Sequence, residues 1–105
     1  MSAVVYEVTL RVQAALAGEF AAWLRGHVQD MLALPGFLAA SVARQVEPAP
    51  PGDEVVFTCH YRLTDAAALR AYLAQHAARM RAEGLARFGD RFSASRRVLE
   101  MLPGY

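Results

Sequence analysis

Three histidines, a single cysteine and a set of arginines are the side chains here that could do chemistry. His60 follows Thr58 and precedes Arg62 in an alternating run, and Glu7 stands in a similar run with Thr9 and Arg11. A carboxylate beside an imidazole can hold it as a general base, so Glu7 and His60 form one candidate pair. The other two histidines come as a repeat. Trp23-Leu24-Arg25-Gly26-His27 and Tyr72-Leu73-Ala74-Gln75-His76 share the pattern aromatic-Leu-x-x-His, with Phe20 answering Leu69 and Met31 answering Met80. An imidazole titrates near neutrality, which opens acid, base and ligand roles to both. Arg11, Arg62 and Arg96 could take an anionic group, and Cys59 would be a nucleophile only if its thiol ionised.

The patterns around these residues predict the elements that must position them. From Met1 to Gln13, Val4, Tyr6, Val8, Leu10 and Val12 alternate with Val5, Glu7, Thr9 and Arg11, a strand with one buried face. Ala14 to about Leu34 switches to the helical period, and Pro35-Gly36 ends it. Phe37 to Glu47 reads as a second strand, with Leu38, Ala40 and Val42 on one side and Phe37, Ala39, Ser41 and Ala43 on the other. The Pro48-Ala49-Pro50-Pro51-Gly52-Asp53 run cannot join a ladder and reads as a hairpin loop. Glu54 to Leu63 is the clearest strand, its apolar face made by Val55, Phe57, Cys59, Tyr61 and Leu63. Thr64 or Asp65 can cap a helix from about Ala66 to Arg81 that turns Leu69, Tyr72, Leu73, His76 and Met80 inward. Gly84 and Gly89 predict that Glu83 to Phe88 is a short, separate helical turn, before a last strand from Arg91 to about Met101.

The order β-α-β-β-α-β, with the repeat at the matching point of each helix, predicts a ferredoxin-like α+β domain. Its antiparallel sheet would have strand order 4-1-3-2. Right-handed crossovers put both helices on one face and leave the other uncovered. By parity the uncovered face presents Val5, Glu7, Thr9 and Arg11 from the first strand and Val56, Thr58, His60 and Arg62 from the third. Ser41 and its even-spaced neighbours join them, with either Arg96 or Arg97 from the last strand. A second sheet laid against this face would enclose a partly polar cavity.

Composition bounds the partners. The 105 residues make one domain, 55% hydrophobic and 20% charged, which leaves more apolar surface than one thin core hides. A homo-oligomer follows from that. The net charge of +1, with no block of like charge beyond Arg96-Arg97, excludes the footprint of a nucleic-acid binder. A lone cysteine excludes an internal disulfide or a thiolate metal cluster. No stretch resembles a signal peptide or a membrane span, so a cytoplasmic protein is expected.

The element order and the Leu34-Pro35-Gly36-Phe37 turn resemble the dimeric α+β barrel superfamily, which includes antibiotic-biosynthesis-type monooxygenases. Trp23-Leu24-x-x-His27, Pro35-Gly36-Phe37, Tyr72-Leu73-x-x-His76, Arg87-Phe88-Gly89 and Arg96-Arg97-Val98-Leu99 together narrow the likeness to a bacterial family of short proteins of unknown function. The resemblance implies a homodimer with its sheets face to face and a small-molecule cavity. It carries no assigned reaction.

A small-molecule enzyme or ligand-binding protein is therefore expected, possessing Glu7 and His60 as acid-base pair and Thr9, Thr58, Arg62 and Arg96 as ligand contacts. No cofactor is expected. The same pair could instead be a cross-strand contact of a non-catalytic dimeric binding or accessory module. A third alternative ligates haem or a metal through His76 or His60. Histidines inside apolar helix stripes are ordinarily hydrogen-bonded packing residues, so His27 and His76 are expected to be structural. Cys59, among Phe57 and Tyr61, is expected to be a small core residue.

Overall fold

The computed structural model describes residues 2–105; Met1, the expected start of the first strand, lies outside them. Strand β1 (Val4–Gln13) buries Val4, Tyr6, Leu10 and Val12 against the helices, as its alternation requires. A short 3-10 turn at Ala14–Leu16 leads into α1 (Ala17–Leu32), whose buried stripe is Phe20, Leu24, Val28 and Met31. The chain then turns through Gly36, where φ is +85° and an added Cβ would meet Ala68 Cβ at 2.6 Å. Glycine is needed there twice over, for the torsion and for the close approach.

Strand β2 spans Phe37–Arg44 and β3 spans Glu54–Leu63. Asp65 caps α2 (Ala66–Gln75), its Oδ1 accepting from the Ala68 amide at 2.8 Å. Then come α3 (Ala77–Phe88) and β4 (Phe92–Glu100). All four strands pair antiparallel in the order β2-β3-β1-β4, the expected 4-1-3-2 arrangement seen from the other edge. The fold is ferredoxin-like, with one contiguous core between the sheet and the helices. Two aromatic groups fill it. Phe20, Phe57, Phe88 and Phe92 pack near Trp23, while Phe37 meets both Tyr61 and Tyr72 edge-on.

Four local expectations are corrected. The second crossover breaks at His76, whose torsions of −128° and −26° leave the helix, and not at Gly84. Gly84 lies inside α3, where an added Cβ would stand 3.1 Å from Trp23 and 3.2 Å from Phe92. It serves close packing between elements, so it does not end the helix. With the helix split, α2 buries Leu69 and Tyr72 while Leu73 stays 42% exposed instead of pointing inward. Finally, a register shift between Phe37 and Ala39 puts Phe37 opposite Leu63 on the core side, because a bulge reverses the parity of what precedes it. The strand also stops at Arg44, before the expected Glu47.

Candidate functional site

The sheet register brings the sequence pair together. Glu7 lies opposite His60 on β3 and opposite Arg97 on β4. Its Oε2 is 2.7 Å from His60 Nε2, and Arg97 Nε donates to its Oε1 at 2.7 Å. Glu7 is only 8% exposed, although it faces away from the helices. The Arg97 hydrogen bond, then the one to His60, hold its carboxyl below the usual carboxylate range and outweigh its burial. Such a carboxylate is ionised at neutrality; it accepts hydrogen bonds and does not supply a proton. Thr9 stands opposite Thr58, and Arg62 opposite Val5, on the same face. Arg11 shares that face and reaches Glu54 at 3.6 Å.

Arg96 does not belong to this group. It pairs with Val8, whose side of the sheet faces the helices, so strand parity gives Arg97 to the open face and Arg96 to the core side. The sequence left that choice open because it depends on the β1–β4 register.

On the core side the sheet and helices leave a cavity of about 180 Å³, largely apolar. Tyr6 and Val8 of β1 and Ala94 of β4 line one side, and Trp23 and His27 of α1 and Leu85 of α3 line the other. His27 stacks on Trp23, with ring centroids 4.6 Å apart. Its Nδ1 is buried without a hydrogen-bond partner and stands 3.6 Å from Glu83 Oε2, within ion-pair range but beyond hydrogen-bond reach. Burial pushes the imidazole below its ordinary pKa, while Glu83 pulls the other way. His27 is therefore neutral at pH 7. Nδ1 is the nitrogen nearest Glu83, and among the described residues Nε2 has no hydrogen-bond partner.

Tyr72 also lines the cavity and donates to Met31 Sδ at 3.4 Å. Burial pushes its phenol up to about 12, against the pull of Arg81 and Arg96. Both of those arginines line the cavity and are exposed, which puts them at its mouth. Among the described residues, neither is paired with a carboxylate.

The remaining candidates are placed as follows. Cys59 is buried in the core, and desolvation pushes its thiol up to about 11, so it is no nucleophile near neutral pH. His76 sits half-buried at the α2–α3 break, where Arg79 Nη2 is 2.9 Å from its Nδ1. The repeat is thus not a functional equivalence: one histidine closes a helix and the other faces a cavity. Among the described residues no three His, Cys, Asp or Glu side chains gather as a metal site would need, and no helix is long and apolar enough to cross a membrane. Sequence reasoning missed Glu83 and Arg81. The signal for His27 was present, one helical turn after Trp23, but an apolar stripe hides a cavity wall as well as a core.

Solved structures share this fold over nearly the whole chain. SnoaB, a cofactor-independent oxygenase from Streptomyces nogalater, matches in mutant form with a TM-score of 0.70 at 20% identity, covering 99% of this chain and 100% of its own. A dimeric ferredoxin-like protein from an uncultured marine organism matches with a TM-score of 0.68 at 13% identity, covering 100% of both chains. A candidate antibiotic-biosynthesis monooxygenase from Bacillus cereus matches with a TM-score of 0.66 at 12% identity, covering 100% of this chain and 98% of its own. A search of the curated proteins finds no match. At residues 3–102 the sequence matches one described family along nearly its full length, and the chain belongs to it: Domain of unknown function (DUF4286).

Proposed function

We propose that this protein is a small-molecule enzyme that acts in the helix-side cavity, with chemistry of the cofactor-independent oxygenase type found in SnoaB. The observation that carries this proposal is a largely apolar cavity whose wall holds a neutral imidazole backed by a carboxylate. A general base needs a pKa at or below the working pH and a second group to fix its orientation. His27 meets the first condition through burial and the second through Glu83. In this scheme Nε2 takes a proton from a CH2 group of an organic substrate, and the carbanion reduces dioxygen and bonds it at carbon as a peroxide. The peroxide takes the proton back from Nε2, and loss of water leaves a carbonyl there, one oxygen atom going to product and one to water. Trp23 and Tyr72 provide the ring surfaces against which a planar substrate rests.

The contact between Glu7 and His60 supports a second role for the open face, as the surface on which two copies meet. A second sheet there would bury Glu7, His60 and Arg97 as a charged, mutually satisfied cluster, with Thr9, Thr58 and Arg62 around it. If that interface encloses its own cavity, Glu7 and His60 become the acid-base pair and the threonines and Arg62 the ligand contacts. Dioxygen uptake with a panel of phenols and enolisable ketones, in parallel on His27→Gln and His60→Gln, separates the two sites. The expected result is a loss of roughly a hundredfold or more in His27→Gln with His60→Gln retaining most of the rate. The opposite pattern would move the chemistry to the open face.

A further inference from the structure

The geometry points to a one-ring organic anion as the ligand of the helix-side cavity, its acid group at the mouth against Arg96 and Arg81 and its ring between Trp23 and Tyr72. This rests on the cavity's being the ligand site, as proposed above, and adds the class of ligand. Volume sets the size. A dry cavity of about 150 Å³ in another protein admits benzene, so about 180 Å³ holds one ring with a small substituent.

Charge sets the class. The cavity interior is apolar and aromatic, whereas its mouth carries two guanidinium groups that meet no carboxylate among the described residues. A free guanidinium fork matches a carboxylate in two parallel hydrogen bonds. By contrast Arg97 and Arg11, on the other face, are taken by Glu7 and Glu54. The carboxylate nearest His27, Glu83, is not part of the cavity wall, so it does not oppose an anion at the mouth. His27 is neutral and adds no charge of its own. Tyr72 lines the same cavity as Arg81 and Arg96, which brings both cations and the ring-binding surface into one site.

Trp23 is the sole tryptophan and lines the cavity, so its indole N–H gives one assigned NMR signal at the site. Benzoate, methyl benzoate and 1-naphthoate titrated into the intact protein provide the test. Benzoate is expected to shift the signal saturably and to bind at least about tenfold more tightly than the other two. Arg96→Gln and Arg81→Gln are each expected to weaken benzoate binding, and the double variant to bring benzoate down to the level of its ester while leaving the ester unchanged. Arg44→Gln, on the far edge strand, should change neither. An ester that binds as tightly as the acid, or an Arg81→Gln/Arg96→Gln double variant that still prefers the acid, would overturn the anion assignment and leave the cavity as the ligand site. Naphthoate binding as well as benzoate would overturn the size assignment. If none of the three moves the Trp23 signal, both this inference and the helix-side site fall.

Discussion

His27 shows how one residue's environment decides its use. Desolvation lowers its pKa and Glu83 opposes that, so Glu83→Gln should lower it further. A histidine NMR titration is the measurement, and a His27 pKa at or above the ordinary value of about 6.5 would contradict the burial described here. The linked stability has a definite sign. Because the folded value is depressed, neutral His27 contributes fully above about pH 6.5, and that contribution is lost as pH falls through the lowered folded value. Glu7 behaves likewise at lower pH. Its contribution is complete above the ordinary carboxyl value of about 4.3 and disappears as pH falls through its depressed value. In Glu7→Gln the urea midpoint should vary less with pH across that acid range. That Glu7 and His60 share a face was legible in the sequence, because period-two alternation fixes it, whereas their contact depends on the β1–β3 register, which the sequence left open. The His27–Glu83 approach was not, because it joins two helices whose packing angle no local pattern encodes.

At the level of elements, alternation gave β3 its full span and β1 nearly so, since a half-buried strand writes its two faces into the sequence. The α2–α3 break escaped notice because residues 74–77 contain neither glycine nor proline. Gly84 misled for a related reason: glycine marks a close approach as readily as a helix end. Replacing Gly36 by Ala combines a left-handed torsion with a clash against Ala68, and should cost about 2–4 kcal/mol in chemical denaturation. Gly84→Ala acts differently. The helix gains about 1 kcal/mol of propensity, while the new methyl presses Trp23 and Phe92. Trp23 lines the cavity, so a ring that yields into that space gives the expected outcome, a small change in stability with clearly weaker benzoate binding. Strong destabilisation with unchanged binding would show that the cavity wall does not move.

For the whole molecule, the exposed apolar surface calls for a partner. Leu38 is 55% exposed on one edge strand, and Val98 and Leu99 are 53% and 37% exposed on the other. Sheet-to-sheet pairing would cover Leu99 together with Val5, its neighbour on the open face. Sedimentation equilibrium is expected to give twice the 11.5 kDa chain mass, with His60→Ala weakening association. A monomer at all concentrations would remove the face-to-face dimer. One strand carries an unusual share of this design. Arg97 and Arg96 are neighbours in β4, so under the proposals above a two-residue segment at the sheet's edge would serve the assembly surface on one side and the ligand mouth on the other. Peeling that edge away would disarm both at once, giving the molecule a single point of failure. Conversely, a partner that clamped Arg97 would also immobilise the backbone of Arg96, so association and ligand capture would share one hinge pin.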